Sequence, residues 1–333
     1  MGVTELLAAE IAAPFERASD DHAAALAGRH WGIAVERAVR IDTERDDTFR
    51  LETTEASYAL KIAHPADDPT VIDLQTAAIE WAAEHDATLP LPRAIPSDDG
   101  GLLPADGGRI AHLLPWMPGQ SLRAALWDAA PEGPLLHSLG ATHARLTAAL
   151  AGFRHPAESR RLAWDLARLP ELTDLADALD DPLPVAVVLE RYVAETAPRL
   201  AALPHQLIHN DGNLDNLLVD DRATHVVGVL DFGDVVRTAR VIDLAVLASY
   251  LLPADDQYTA SDTLDGLVAG WQSVLPLEDG EHDLLPRPVL ARLVQRMLLG
   301  AWLAREVPGN ADYLGRNLVH TRAQFDLAMQ EGW

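Results

Sequence analysis

The chain has no cysteine, and of its 26 basic residues only one, Lys61, is a lysine. The first absence excludes disulfides and thiolate metal sites. Positive charge is scarce altogether, since 51 acidic residues leave a net charge of -25. A field of that sign offers no phosphate-neutralising patch, so neither nucleic acid nor an anionic membrane is expected as a partner. It would draw cationic small molecules to an acidic cleft, or serve solubility alone. Glycine-rich phosphate loops are missing too: Lys61 follows Leu60 rather than glycine, which excludes a Walker A loop. No G-x-S-x-G elbow, H-E-x-x-H helix or EF-hand loop is present, so serine hydrolases, zincins and calcium sensors lack their signatures. The most apolar run, Val241 to Leu252, is interrupted by Asp243 and too short to span a bilayer. The opening stretch carries Glu5 and Glu10, lacks a basic segment ahead of an apolar core and reads as an amphipathic helix, so a cytoplasmic protein is expected.

What is present concentrates between His205 and Asp234. Two short apolar runs, 217–219 and 226–230, flank a turn at Asp220 to Ala223 and read as a hairpin. His209, Asp211 and Asn216 precede the first run, and Asp231, Phe232, Gly233 and Asp234 follow the second. The hairpin therefore brings Asp211, Asn216 and Asp231 to one edge. Two carboxylates and a carboxamide are all oxygen donors, which suits a hard cation such as Mg²⁺ on nucleotide phosphates better than zinc. Phosphoryl transfer asks mainly for positioning and charge neutralisation, and H-x-D-x-x-x-x-N followed by D-F-G supplies those parts in order.

Lys61 lies in the strand-like sequence Ser57 to Ile62. A chain that otherwise uses arginine has kept one compact ammonium there, as a site requiring a point charge would demand. Before it, Ile33, Val35 and Val39, then Thr48 to Glu52, read as strands of a small antiparallel sheet, with the polar turn Glu44 to Asp47 between them. Pro69 to His85 has the periodicity of a helix packed on that sheet. The strand 109–114 ends in a proline-punctuated connector, Pro115 to Gly119, and beyond it 136–150, 185–197, 241–252, 264–274 and 289–304 read as helices.

These segments resemble the aminoglycoside phosphotransferase and choline kinase superfamily, whose fold is protein-kinase-like, and most of all its hydroxylysine kinase-like branch. The resemblance implies an α+β, bilobal protein-kinase-like fold: a nucleotide-binding lobe at residues 1–114, a hinge at 115–120 and a helical lobe at 121–333. It implies ATP and Mg²⁺ as cofactors, Asp211 as catalytic base, Asn216 and Asp231 as metal ligands, and Lys61 on the nucleotide's phosphates. Gln75 falls where kinases pair a glutamate with that lysine, with Asp73 as a substitute. Backbone groups at Leu114, Trp116 and Met117 would meet adenine, His209 and Asp243 would brace the loop, and Asp165 and Asp234 would contact an acceptor ammonium. The acceptor is expected to be a small amino alcohol or hydroxy amino acid, or else an aminoglycoside. Two other classes remain: a non-catalytic pseudokinase, and a Schiff-base enzyme built on Lys61, which leaves the three oxygen donors unexplained.

Overall fold

The computed structural model describes residues 15–333 except 42, 44, 45, 180 and 307–310. The expected opening helix falls largely outside them, as do Glu44 and Arg45 of the polar turn. The first described helix, α1 (Asp20–Trp31), begins where the Ser19 hydroxyl accepts the His22 N–H at 3.1 Å and ends at Gly32, which adopts the left-handed conformation (φ 61°).

Strands β1 (Arg37–Ile41), β2 (Asp47–Glu52), β3 (Ser57–Ile62), β4 (Ala105–Asp106) and β5 (Arg109–Pro115) form one antiparallel sheet in the order β1-β2-β3-β5-β4. Phe49, Leu51, Leu60, Ile62, Ala111 and Leu113 turn onto Ala23, Leu26 and Trp31 of α1 and make the small lobe's core. Because side chains alternate along a strand, burying Leu60 and Ile62 aims Lys61 at the opposite face.

Helix α2 (Pro69–His85) has the bounds its sequence predicts, opened by the Asp68 cap and Pro69. Its packing differs from the expectation of a helix resting on the sheet. Leu74, Ala78, Ile79 and Ala82 belong to the core of the helical lobe, and the Trp81 indole donates to Ala149 O at 3.0 Å. A helical period announces an apolar face without naming the surface that covers it.

The larger lobe holds β6 (Gln120–Ser121), α3 (Leu122–Ala125), α4 (Gly133–Ala149) and α5 (Leu183–Arg191), with a 3-10 segment, Leu166–Ala178, before α5. Then come β7 (His205–Ile208), β8 (Leu217–Val219), β9 (Val226–Val229) and β10 (Val236–Ala239), followed by α6 (Val241–Leu251), α7 (Ala260–Gln272), α8 (Pro286–Glu306) and α9 (Ala311–Gln330). The expected hairpin is β8–β9, with a register shift at Leu218/Val219. Two pairings the sequence did not announce frame it: β6 extends the hairpin to three strands, and β10 folds back antiparallel onto β7, Val236 opposite Ile208.

Helices α4 and α7 approach almost backbone to backbone. A Cβ on Gly140 would stand 2.0 Å from Leu267 O, and one on Gly270 2.1 Å from His137 O. Gly140→Ala should therefore cost about 1–3 kcal/mol of stability, the usual range for overpacking, with urea unfolding as the measurement. Wild-type stability in that variant would show that the two helices do not meet this closely.

Candidate active site

Lys61 sits on β3 between Thr48 of β2 and His112 of β5. Its Nζ lies 3.4 Å from Asp231 Oδ1 and 3.7 Å from Asp46 Oδ2, so the ammonium spans from the sheet to the helical lobe. Burial by itself would lower its pKa, but Asp231 and then Asp46 outweigh it and the net shift is upward. His112 beneath it is buried and kept neutral, its pKa pushed down to about 3 by burial first and the Lys61 charge second.

Asp231 follows β9 in the left-handed conformation (φ 56°), and its carboxylate accepts the Gly233 N–H at 3.0 Å, capping the 3-10 turn Phe232–Asp234. Lys61 is the main reason its pKa is lowered. The Leu230 N–H donates to Asn216 O at 2.7 Å, so the hairpin holds Asn216 beside the chain leading into Asp231.

The loop before β8 is ordered from beneath. Asp243, wholly buried on α6, accepts the Asn210 N–H at 2.9 Å and the Thr147 hydroxyl at 2.9 Å, with His143 Nδ1 at 3.8 Å. Burial would raise its pKa, but these partners and the nearby histidines bring the net value down. Asn210 is held at φ 64°. The Asp211 N–H donates to His209 Nδ1 at 3.3 Å, leaving Nε2–H to donate to Leu230 O at 3.0 Å. His209 is thus a neutral bridge between the two loops, its ring edge-on to Phe232.

Asp211 has both carboxylate oxygens 3.0 Å from Asn213 Nδ2, and Asn216 Nδ2 donates to its Oδ2 at 2.5 Å. Its pKa is raised well above the ordinary carboxylate value by burial first and then by Asp234, while Arg292 pulls the other way. Asn213 also accepts the Asp215 and Asn216 N–H groups at 2.8 and 3.1 Å, which makes it the loop's internal tie. Only its place in the run Asn210 to Asn216 could have marked it in the sequence.

Lys61, Asp211, Asn216, Asp231 and Asp234 therefore share one cleft. Other expectations need correction. Lys61 meets Asp231 and Asp46, not Gln75, and Asp73 is engaged by His155 Nε2 at 3.0 Å. Asp165 is buried and caps the 3-10 segment through the Ala167 N–H, so a solvated ammonium is not its partner. In the connector, the Trp116 N–H is committed to Ser57 O at 3.1 Å and its ring lies over the Arg50 guanidinium; Leu114 pairs with Ala59 in the sheet. Among the described residues the Met117 N–H has no backbone acceptor.

A lysine and an aspartate from different lobes, meeting over a loop of oxygen donors, is how kinases of the protein-kinase-like fold are arranged. The chain belongs to the phosphotransferase enzyme family (APH), whose profile matches residues 37–279, and it is a small-molecule kinase. It is 28% identical over 328 residues to a hydroxylysine kinase of Danio rerio, covering 91% of this chain and 90% of the relative. It is 29% identical over 247 residues to a homoserine kinase of Azorhizobium caulinodans, covering 73% and 72%. The solved structure of a microcompartment-associated aminopropanol kinase superposes with a TM-score of 0.68 at 20% identity, covering 92% of this chain and 95% of that one, and shares the fold. Among the described residues no helix is long and apolar enough to cross a membrane.

Asp243→Ala should remove at least about 2 kcal/mol, because it strands the buried Asn210 N–H and Thr147 hydroxyl. Thermal melting checks this, and an unshifted melting temperature would show that the loop is held by other means.

Proposed function

We propose that the chain moves the γ-phosphate of ATP, with Mg²⁺, to a hydroxyl of a small amine-bearing molecule, a hydroxy amino acid or an amino alcohol. The observation that carries this reading is the approach of Lys61 to Asp231 at 3.4 Å, with Asp211 in electrostatic reach of Asp231. The relatives named for hydroxylysine and homoserine supply the acceptor class.

The donor set fits a phosphate-borne magnesium ion. Asn216 gives its NH₂ to Asp211, which leaves its Oδ1 without a protein donor among the described residues, and Asp231 Oδ2 likewise accepts no bond. Two hard oxygen ligands, completed by phosphate and water, are what Mg²⁺ uses in such sites. When bound, the ion would neutralise charge on the phosphates.

In this reading residues 1–114 form the nucleotide lobe, 115–120 the hinge and 121–333 the acceptor lobe. Lys61 steadies the α- and β-phosphates, and the connector backbone near Met117 meets the adenine. Asp211 orients the acceptor hydroxyl. Its oxygen attacks the γ-phosphorus, the bond to the β–γ bridging oxygen breaks, the proton passes to the Asp211 carboxylate and ADP leaves. A raised Asp211 pKa makes it a better proton acceptor, provided it is ionised.

Asp211→Asn should lower kcat by about 10²–10⁴-fold, the range of general-base catalysis, with ATP affinity nearly unchanged. A coupled ADP-release assay with hydroxylysine or homoserine measures this, and undiminished turnover would dismiss Asp211 as the base. The pH profile follows from the same shift. Activity needs the ionised carboxylate, so kcat/KM should rise with pH through an acid limb above about 4, the unperturbed carboxylate value. An acid limb at or below that value would show that the raised carboxyl is not the one required.

A further inference from the structure

The half-buried arginines Arg40, Arg109, Arg145 and Arg240 each sit on a carboxylate, at 2.6–2.8 Å. Arg292 and Arg296, one turn apart on α8, do not. Among the described residues neither has a carboxylate within ion-pair distance, in a chain with almost twice as many acids as bases.

Arg292 is fully buried beneath the catalytic loop. Its Nη1 donates to Trp164 O and to Gln295 Oε1, its Nη2 lies 3.4 Å from Asn210 O, and its plane covers the Trp164 ring at 5.0 Å. Its Nε is buried with no partner. An unpartnered guanidinium N–H in such a place costs free energy unless something arrives to meet it.

Arg296 is half-buried. Its Nη1 donates to Ser249 O at 2.7 Å and to Gln324 Oε1 at 3.2 Å, and its guanidinium lies 4.1 Å over the Tyr250 ring. Ser249 belongs to the last turn of α6, whose carbonyl end offsets part of the charge. Nε and Nη2 keep no protein acceptor among the described residues, which leaves part of the fork open. Burial, opposed by Tyr250 and reinforced by Arg292 and Arg123, pushes its pKa down to about 10. The cluster also has two outer members. Arg123 clamps Asp215 of the catalytic loop at 2.7–2.9 Å, and His320 of α9 feels both Arg296 and Arg123. The cluster borders Asp211: Arg292 acts on that carboxyl, and the Tyr250 hydroxyl lies in reach of Arg292, Asp211 and Arg296 together.

Net charge alone would send a polycation to this cleft. The local charge is divided, because Arg292 and Arg296 make one side of the base positive and would repel a cation there. Desolvated arginines with open N–H groups match a planar anion that accepts two parallel hydrogen bonds. We propose that the acceptor carries a carboxylate, and that Arg296, backed by Arg292 and the Tyr250 hydroxyl, holds it while the acceptor's hydroxyl lies at Asp211. This rests on reading the chain as a hydroxyl phosphotransferase. Asp234, whose charge acts on Asp211, gives the same cleft an acidic side for the acceptor's ammonium, so the whole suits a zwitterion.

The test uses acceptors that differ by the carboxylate alone: homoserine against 3-amino-1-propanol, and 5-hydroxylysine against its decarboxylated diamine. ADP release with ATP and Mg²⁺ is read for the wild type, Arg296→Gln and Arg296→Lys, with an aminoglycoside as a further acceptor. The wild type should favour the acid of its pair by about 10- to 100-fold in kcat/KM, the worth of a charged hydrogen bond. Arg296→Gln should erase that preference by raising KM for the acid, with no such rise for the amine or for ATP. Arg296→Lys, which keeps charge but loses the fork, should fall between. A wild type that uses the amine or the aminoglycoside as well as the acid overturns the inference and leaves the kinase reading standing, and it decides the matter even if the variants fail to fold. Equal losses on acid and amine in Arg296→Gln overturn it as well, by showing a merely structural residue. No transfer to any acceptor removes the kinase reading itself, and this inference with it.

Discussion

The structure of the cleft depends on one buried carboxylate. Asp243 comes from the most apolar helix among the described residues, where an ionised group is costly unless its partners are in place. Those partners are the backbone of Asn210 and the side chain of Thr147, so the charge is tolerated only when the loop and α4 are both docked. That anchoring holds the strained Asn210, beside the His209 bridge to Leu230, while Asn213 and Asn216 orient the Asp211 carboxylate. Stability and site geometry are coupled at this point, since a loop that drifted would leave a charge unsatisfied in the core.

Above the loop the sheet and the helical lobe meet through opposite charges, while α2 joins that lobe by apolar packing. Lys61 is raised in pKa and Asp231 lowered, each chiefly on the other's account once burial is set aside. Asp211 is treated the other way: burial, Asp234 and Asp231 favour its protonated form, and Arg292 and the Asn213 amide oppose them. Two carboxylates of one cleft are thus pushed apart in proton affinity by their surroundings, a pattern associated with a division of labour between binding charge and moving a proton.

Much of this was legible in the chain, and for a physical reason. Asp211, Asn216 and Asp231 lie within one hairpin, so local pairing rules were enough to bring them to one edge. Lys61 stood out because it is the only residue of its kind. The fold class followed from strands giving way to helices. What could not be read were relations between distant segments. Strand β10 is four residues long and finds β7 across the intervening loop and hairpin. Helix α2 was delimited correctly but assigned to the wrong surface. The Asp46 contact to Lys61 competed with a position inferred from kinases at large, which had pointed to Gln75. Arg292 reaches the loop from more than 75 residues downstream, with Arg296 one turn further along α8, and nothing in their own neighbourhood distinguishes them from the arginines that merely coat the surface.

The solitary lysine also has a consequence for how the molecule meets reactive chemistry. The side chains offer a single primary amine, and it is largely shielded, with 15% of its surface accessible and two carboxylates keeping it protonated. Acylating agents and reactive aldehydes, which scatter over the surfaces of most proteins, find here one slow side-chain target, and that target lies inside the cleft. Amine-directed labelling of the side chains therefore registers the state of the cleft.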